Sequence, residues 1–430
     1  CFKLHMQDME SFHKALVAGA DFATEVPHDR WDHSLYYHPD PDKLAEGKLY
    51  CMHMTCLSEL DMFDNKFFLI SVAEASRMDP NERHLLELGY AACYDAGLTK
   101  KNLMNSDCGV YVAWTSDASG VEDRGMGANR INFCLGCKGP SLACDVDHAS
   151  ALVAVRVGCA ELGRACSQSI VVGCQLHLVP SAWLTHCATH MLSPAGRTCS
   201  FDANASGFIR ADGLAGVYVK KLGQSVDGQE VWDDSGQLLG VIQASVAKSQ
   251  GRSASLRGVD GACLQEVLAE STRMARIAPL DVDFVECDAK ANPMFDAVEV
   301  CSSVRALRPL STGTEERLAL GTVKMNNGSA YYAAGLISLI KLLGACTTGT
   351  IAPSIHMHQL NPLIESEIGD VPVFIQPEAQ EGDMATSFMG VTACGWGGTN
   401  ANVLLWGKVQ QALPTRDAAA SSLCFWPGGG

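Results

Sequence analysis

Residues 145–150 read DVDHAS and follow the run GPSLAC, a pattern that predicts a buried strand turning sharply into a helix. His148 lies at the tip of this turn and opens the predicted helix. A helix N-terminus lowers the pKa of a histidine and favours its neutral form. Because a neutral imidazole can accept a proton from a nearby hydroxyl, His148 is a candidate general base.

Three other motifs contain residue types that could do chemistry but lack the pattern of a site. Cys134 and Cys137 form a CxxC without a second ligand pair at zinc spacing, so both are predicted to be ordinary strand-and-turn cysteines. His356 and His358 alternate as in a strand, and no metal site is predicted. The Gly-rich run 395–398 leads into a strand and lacks the Lys-Ser/Thr of a phosphate-binding loop.

Composition limits the class of protein. The chain has 430 residues, of which 47% are hydrophobic and 19% are charged, so one large packed domain or two fused halves are expected. It carries 32 basic and 48 acidic residues, a formal charge of −16. Nucleic acid is therefore excluded as a partner, because phosphate backbones require a basic surface.

Cysteine usage and hydropathy bear on the compartment. The nineteen cysteines are scattered through apolar segments, which predicts reduced thiols in a reducing compartment, either cytoplasm or an organelle interior. The chain begins at Cys1 without a methionine, and we expect a truncated or processed N-terminus, so targeting is not predicted. The longest apolar run, AYYAAGLISLI, is followed by Lys341 and predicts a buried helix, with no membrane span.

Strand and helix patterns alternate along the whole chain, which predicts an α/β fold. The segment 148–163 is apolar nearly all round, as expected for a central buried helix. After the loop at 223–237, a helix leads again to a strand, so the second half repeats the theme. We predict an N-terminal half at 1–225, a C-terminal half at 226–406 and a flexible tail at 407–430.

Six motif-like stretches follow one another along the chain. They are EVPHDRWD (25–32), FFLISVAEASRMDPNERHLLE (67–87), GANRINFCLGCKGPS (127–141), MLSPAGRTCSFDANASGFIRADG (191–213), GTVKMNNG (321–328) and GWGGTNANVLL (395–405). In this order they resemble the β-ketoacyl synthases, the condensing domains of polyketide and fatty-acid synthases. The resemblance covers residues 1 to 406 and implies the thiolase-like fold, with two similar α/β halves in an αβαβα arrangement.

The resemblance also implies which positions would carry the chemistry. Ketosynthases of this family hold an acyl chain as a thioester on a cysteine and join it to a malonyl unit, assisted by two histidines. The cysteine position is His148 here, and the two histidine positions are Asp288 and Ser329. The lysine that precedes the second histidine motif is kept as Lys324.

The remaining site positions are also assigned through the resemblance. The family motif GTGTPLGDP has become AKANPMFDA, and lost glycines are expected to narrow the approach of substrate. The side chains expected to do so are those of Ala289, Lys290, Ala291, Asn292 and Phe295. In the Gly-rich loop, Asn402 replaces a histidine. The substrate-tunnel positions are Cys394, Trp396, Phe295 and Asn292, and the oxyanion-loop positions are Gly395, Gly397 and Gly398.

The first interpretation is a catalytically inactive homologue. A thiolate gives an acyl adduct that survives to react, whereas an acyl-imidazole hydrolyses, and a carboxylate at 288 would repel a developing enolate. The family's chain-length factors, which lack the cysteine and pair with an active ketosynthase, are the nearest analogues. Ser329 is then expected to cap a helix, and Asp288 to hold a loop through an Asx turn.

Two alternatives stay open. Ser329, His148 and Asp288 are the residue types of a hydrolase triad, so the site could be a repurposed acyl hydrolase or acyltransferase. A structural scaffold outside lipid synthesis is the second alternative.

The resemblance implies a dimer, either a homodimer or a heterodimer with an active ketosynthase, paired through the strand near SIVVGCQL. An acyl carrier protein is a further candidate partner. No cofactor is implied.

Overall fold

Two large β-sheets, one from each half of the chain, form the framework of the protein. The computed structural model describes residues 2–3, 8–115, 124–226, 229–232, 238–253, 255, 257–309, 316–369, 371–382, 385–410 and 425.

The elements are numbered along the chain. The strands are β1 Phe2–Lys3, β2 Thr24–Glu25, β3 His53–Thr55, β4 Gly109–Trp114, β5 Ser141–Ala143, β6 Gln168–Gln175, β7 Arg210–Ala211, β8 Gly213–Lys220, β9 Gly223–Val226, β10 Gln229–Trp232, β11 Val241–Ser249, β12 Val282–Glu286, β13 Leu318–Gly321, β14 Thr350–Ile351, β15 Val373–Ile375, β16 Gln380–Glu381, β17 Thr386–Cys394 and β18 Thr399–Lys408. The α-helices are α1 Met9–Val17, α2 Val72–Ala75, α3 Pro80–Asp95, α4 Lys100–Leu103, α5 Arg124–Leu135, α6 Ser150–Glu161, α7 Ser181–Ala188, α8 Gly261–Ala275, α9 Pro293–Leu307, α10 Lys324–Asn327, α11 Ala334–Thr348 and α12 Pro362–Ile368.

The N-terminal sheet has the spatial order β1-β8-β6-β4-β5. β4 is parallel to both β5 and β6, and β8 is antiparallel to β6. Every residue of β4 is buried, which explains its apolar sequence GVYVAW without polar alternation. β5 lies at the open edge of the sheet, next to the turn that carries His148.

The C-terminal sheet repeats this arrangement. Its order is β11-β18-β17-β12-β13, with β15 added at the far edge. β12 is parallel to both β13 and β17, and β18 is antiparallel to β17. In each half, therefore, the first strand pairs with the last strand, and the antiparallel strand occupies the same place. This internal repeat confirms two similar α/β halves.

The helices complete a five-layered arrangement. α6 and α11 lie between the sheets, because α6 contacts β4 and β6 on one side and β11 and β18 on the other. α3 and α5 cover the outer face of the first sheet, and α8 and α9 pack together at the second, where α8 contacts β11 and β18. The predicted αβαβα thiolase-like layering is confirmed.

The central helix explains the longest apolar run. The segment Tyr331–Thr348 is long and apolar enough to cross a membrane by length and composition, yet 83% of it is buried inside the protein. It contacts both sheets and α6, so its apolar surface is used in the core. The buried helix predicted around Lys341 is therefore found in the protein interior.

The predicted pairing strand is wrong. SIVVGCQL corresponds to β6, which is hydrogen-bonded to β4 on one edge and to β8 on the other. A strand with both edges occupied cannot pair with another subunit. In the described part of this sheet, β5 is paired on one side only.

The predicted division at 225/226 falls inside β9 and stays a prediction. The predicted tail begins too early, since β18 continues to Lys408. Most of the remaining tail lies outside the described residues. Phe425 is described, and its ring stacks near Phe67 and Phe68, so the tail is held at that point.

Candidate functional site

The turn that carries His148 is held by a neighbouring serine. After β5 the chain reaches Asp147, which has a positive φ of 56°, and a 3-10 turn then leads into α6. The Ser150 hydroxyl accepts the Val146 N–H at 2.8 Å and donates to the Asp147 carbonyl at 2.6 Å. The predicted sharp strand-to-helix turn is therefore present, with His148 at its tip.

His148 is fully buried in a shell of aromatic rings. Its ring centroid lies 4.3 Å from that of Tyr331, 5.8 Å from that of Phe208 and 5.9 Å from that of Trp396. Burial lowers the pKa of His148 well below its ordinary value, and the Lys290 charge adds to this effect. The imidazole is therefore neutral at pH 7, as predicted, but desolvation and not a helix dipole is the main cause.

Each ring nitrogen of His148 has a different environment. Nδ1 lies 3.4 Å from the Ser329 hydroxyl oxygen, longer than a well-formed hydrogen bond. Nε2 has no hydrogen-bond partner among the residues that the structure describes. The pair could pass a proton from serine to histidine, but no carboxylate among the described residues orients the imidazole.

Asp288 lies just beyond β12 and is engaged on both carboxylate oxygens. Oδ1 accepts from the Lys324 ammonium. Oδ2 lies 3.2 Å from the Lys290 ammonium and 3.2 Å from the Cys394 backbone N–H, which donates to it. Burial alone would raise the pKa of Asp288, but Lys290 and Lys324 outweigh burial and hold that pKa well below its usual range.

The Asp288 contacts are not those that the predicted triad needs. The structure brings His148 and Ser329 together, whereas neither Asp288 oxygen is bonded to the imidazole in the described structure. A triad needs the carboxylate to fix the histidine tautomer. The predicted Asx turn is absent from this described segment as well, because Asp288 bonds to lysines and to a distant loop.

Lys290 is the site residue whose contacts the sequence did not reveal. Its ammonium donates to the Cys394 carbonyl and lies over the Trp396 ring at 4.0 Å and the Phe295 ring at 4.5 Å. Only 1% of Lys290 is exposed. The sequence signal was a lysine between two alanines directly after a buried strand, which cannot show where the side chain points.

The backbone around Lys290 keeps a glycine-like shape. Ala289 has φ 33° and Ala291 has φ 53°, both in the left-handed region that favours glycine. These are two of the positions where the family resemblance indicates lost glycines. Two alanines therefore adopt backbone conformations that favour glycine, and the expected narrowing of the substrate approach stays a prediction.

Ser329 does not cap a helix, contrary to the prediction. The next 3-10 turn begins at Tyr331 and has Ala330 at its N-cap, without a side-chain cap. The Ser329 backbone instead forms a bridge with Arg210, and its carbonyl accepts the Ala211 N–H at 2.9 Å. This bridge leaves the hydroxyl facing His148.

The predicted oxyanion loop, Gly395–Gly398, lies tightly against the His148 turn. A Cβ on Gly395 would lie 2.5 Å from the Val146 carbonyl oxygen, so only glycine permits this approach. The Gly397 N–H donates to Asp147 Oδ2 at 3.1 Å, and the Tyr331 hydroxyl donates to Asp147 Oδ1 at 3.3 Å. One loop N–H is therefore directed at a carboxylate. Sequence reasoning missed Asp147.

The predicted tunnel positions have separate roles. Asn292 caps α9, accepting the Phe295 N–H at 3.0 Å. Phe295 and Trp396 pack with ring centroids 6.3 Å apart and form the cage around Lys290. Cys394 is 2% exposed, and burial raises the pKa of its thiol well above the ordinary value. Asn402 donates to the Val391 carbonyl in the core.

The site is closed to water in the described structure. The exposed fractions are 0% for His148, 3% for Asp288 and 2% for Ser329. A surface groove of about 340 Å³ between α1 and the end of α11 does not reach these residues. Among the described residues, these three side chains are therefore shielded from solvent.

Metal chemistry has no ligand set in the described part of the chain. No group of three His, Cys, Asp or Glu side chains there could hold a metal ion. Cys134 lies in α5 and Cys137 just after it, and every described cysteine is a free thiol.

Comparisons with known proteins agree with the fold. Residues 5–225 match the family profile "Beta-ketoacyl synthase, N-terminal domain", and residues 239–358 match "Beta-ketoacyl synthase, C-terminal domain". An oxazolomycin ketosynthase domain of Streptomyces albus is 28% identical and superimposes with a TM-score of 0.87, covering 97% of this chain and 76% of that one. A bacillaene synthase ketosynthase from Bacillus subtilis, 24% identical, has the same fold, with a TM-score of 0.86 over 96% of this chain and 71% of that one.

Curated relatives are much longer than this chain. A phenolphthiocerol/phthiocerol polyketide synthase of Mycobacterium tuberculosis is 32% identical over 97% of this chain, which spans 23% of that protein. Polyketide synthase PksM of Bacillus subtilis is 31% identical over 92% of this chain, which spans 9% of that protein. The chain thus spans about a quarter or less of these relatives. On the profile matches, which cover more than half of its length, the chain belongs to the β-ketoacyl synthase family.

Proposed function

We propose that this chain is a catalytically inactive ketosynthase homologue that serves a polyketide or fatty-acid synthase system as a chain-length-factor-like or structural subunit. The observation that carries the proposal is the Asp288 carboxylate, held between Lys290 and Lys324 where the family has a catalytic histidine. A group fixed in this way cannot donate a hydrogen bond to a developing enolate.

The nucleophile position supports the same proposal. His148 is neutral and buried, so it could be acylated only on a ring nitrogen, and an acyl-imidazole hydrolyses before condensation. Cys394 does not replace the missing thiolate, because burial raises the pKa of its thiol. Neither of these residues supplies a stable thioester.

A partner subunit would supply the missing chemistry. β5 offers one unpaired edge within the described sheet, with Leu142 44% exposed on the strand and Phe133 87% exposed on α5, which packs against β5. An apolar strand edge of this kind is a candidate pairing surface. We propose a dimer through β5, with a second copy or with an active ketosynthase. An acyl carrier protein is a proposed further partner.

An acyl hydrolase or acyltransferase is the second candidate. It is favoured by one observation, the 3.4 Å approach of the Ser329 hydroxyl to neutral His148. Against it, Asp288 bonds to lysines and the Gly397 N–H is directed at Asp147. The burial of His148, Asp288 and Ser329 also favours a structural scaffold role outside lipid synthesis.

The proposal is tested by incubating the purified chain with acyl- and malonyl-pantetheine thioesters, with an active ketosynthase as the positive control. Thiol release, CO₂ release and intact protein mass are followed, and His148→Ala is the matched variant. We expect no adduct and equal background rates for both proteins. Condensation, decarboxylation or hydrolysis that disappears in His148→Ala would overturn the proposal.

A further inference from the structure

We infer that Lys290 is a built-in plug of the former catalytic site: its side chain fills the space between the Gly395–Gly398 loop and Asp288 and bars thioester substrates from residue 148. The inference rests on the proposed function and deepens it. A plugged site means that the chain holds no acyl group of its own and acts in a synthase through its surface.

The Lys290 ammonium is paired and hydrogen-bonded in its buried position. A buried ammonium is costly unless it is paired and hydrogen-bonded. Here it has a carboxylate at 3.2 Å, a backbone carbonyl from Cys394 and two aromatic faces within 4.5 Å. A cation over aromatic rings gains further stabilisation when it is desolvated. The Lys290 side chain is therefore held in one position by an ion pair, a hydrogen bond and two aromatic rings.

The Lys290 ammonium connects two segments that are far apart in the chain. Its partners come from two separate parts of the chain: Asp288 and Phe295 after β12, and Cys394 and Trp396 at the end of β17. Lys290 therefore ties the Gly-rich loop to the β12 end. An incoming thioester would have to break these contacts together.

The Gly395–Gly398 loop is also hydrogen-bonded on its other side. The Asp147 carboxylate accepts hydrogen bonds from the Gly397 N–H and from the Tyr331 hydroxyl. The loop is thus fastened to the His148 turn as well as to Lys290. Both sets of loop contacts depend on a charged side chain next to the site, Lys290 in one and Asp147 in the other.

The test uses a cysteine at position 148 as a reporter of access. In a His148→Cys background, iodoacetamide labels residue 148, and peptide mass spectrometry measures its rate separately from the natural cysteines. Cys174, 0% exposed in β6, is the internal reference for global opening. The variants are Lys290→Thr, which shortens the side chain, and Lys290→Met, which keeps its length without charge. Lys341→Met is the matched control, because Lys341 is a buried lysine paired with Glu286 at 2.7 Å.

With Lys290 present, we expect residue 148 to be labelled as slowly as Cys174. Lys290→Thr is expected to raise the rate at 148 by at least about tenfold while Cys174 stays unchanged, as local opening without global unfolding requires. Lys290→Met is expected to give a smaller increase, and Lys341→Met none at 148 alone.

Three results would overturn the inference. Rapid labelling of residue 148 with Lys290 in place would mean that the site is open. Equal slow labelling in both Lys290 variants would assign the closure to other residues. A parallel rise at Cys174 in both variants would show that Lys290 stabilises the fold and does not gate the site. Alkylation of a cysteine is independent of turnover, so none of these results depends on whether the native chain is an enzyme.

Discussion

The Asp288 carboxylate and the Lys324 ammonium form a buried ion pair at the centre of the candidate site. Asp288 is 3% exposed and Lys324 is 2% exposed, and the ammonium also donates to the Asp288 carbonyl at 2.5 Å. Behind the pair, Glu299 accepts the Asp288 and Ala289 N–H groups at 2.7 and 2.8 Å. Asp288, which stands where the family has a histidine, is thus bound on both its backbone and its side chain.

Asp288→Asn is expected to destabilise the protein by about 3–5 kcal/mol, because it leaves two buried ammonium groups without their counter-charge. Glu367→Gln is the control, since the Glu367–Arg305 pair has a similar 2.6 Å contact but is more than half exposed. It should cost only about 0–1 kcal/mol. Urea unfolding measures both. Equally small losses would contradict the role assigned to Asp288.

Stability should fall as the pH rises through the titration of Asp296. Burial raises the pKa of this carboxyl to about 7, against about 4 in an unfolded chain. Between these pH values the folded state holds a proton that the unfolded state has lost. The contribution of Asp296 to the free energy of unfolding is therefore full below pH ~4 and is lost as the pH rises through ~7. Asp296 Oδ1 has no partner among the described residues, while Oδ2 accepts the Phe201 N–H.

Asp296→Asn removes this titration and keeps an acceptor for Phe201. We expect a gain of roughly 2–4 kcal/mol over the native protein at pH 8 and little change at pH 4, where the native carboxyl is protonated. Glu299, whose pKa burial also raises, stays in both proteins. Urea unfolding of both proteins at the two pH values provides the test. A difference in unfolding free energy that is the same at both pH values would refute the raised pKa of Asp296.

Ala291→Gly should change the unfolding free energy by less than about 0.5 kcal/mol, although Ala291 is fully buried. The left-handed φ of 53° costs alanine about 1–2 kcal/mol, which offsets the lost methyl contact and the greater chain entropy of glycine. Ala154→Gly is the control, because Ala154 is equally buried but lies in α6, where the change should cost about 2 kcal/mol. Equal costs would show that the backbone at 291 is not strained.

Leu142→Asp is expected to convert a dimer into a monomer, because it places a charge on the exposed edge of β5. Met274→Asp, at a site 56% exposed on α8, is the matched control and should leave the dimer intact. Light scattering after size-exclusion chromatography gives the mass. A dimer that survives Leu142→Asp, or a native chain that is already monomeric, would exclude pairing through β5.

The sequence predicted the fold well because its signals are local. The all-round apolar segment 148–163 contains α6, whereas the layered arrangement was implied by the resemblance to the β-ketoacyl synthases. The pairing strand was mispredicted because strand order within a sheet is set by long-range contacts. β6 has the apolar sequence of any buried strand, and nothing local shows that both of its edges are occupied.

The sequence predicted which positions belong to the site but not the contacts that their side chains make. His148 and Ser329 lie together, as their assigned positions required. Asp288 was assigned through the resemblance, but its ion pair with Lys290 depends on where the lysine side chain points, which the sequence does not show. Asp147 was missed because its carboxylate meets a loop N–H 250 residues away in the chain.

The most direct test of the central claim is labelling of the folded chain with a serine-directed fluorophosphonate, read by intact and peptide mass spectrometry. Ser329→Ala and His148→Ala are the controls. A neutral His148 without an orienting carboxylate should not activate Ser329, so we predict no adduct. An adduct at Ser329 that is absent in Ser329→Ala and suppressed in His148→Ala would contradict the account and make the chain a serine-dependent acyl-transfer enzyme.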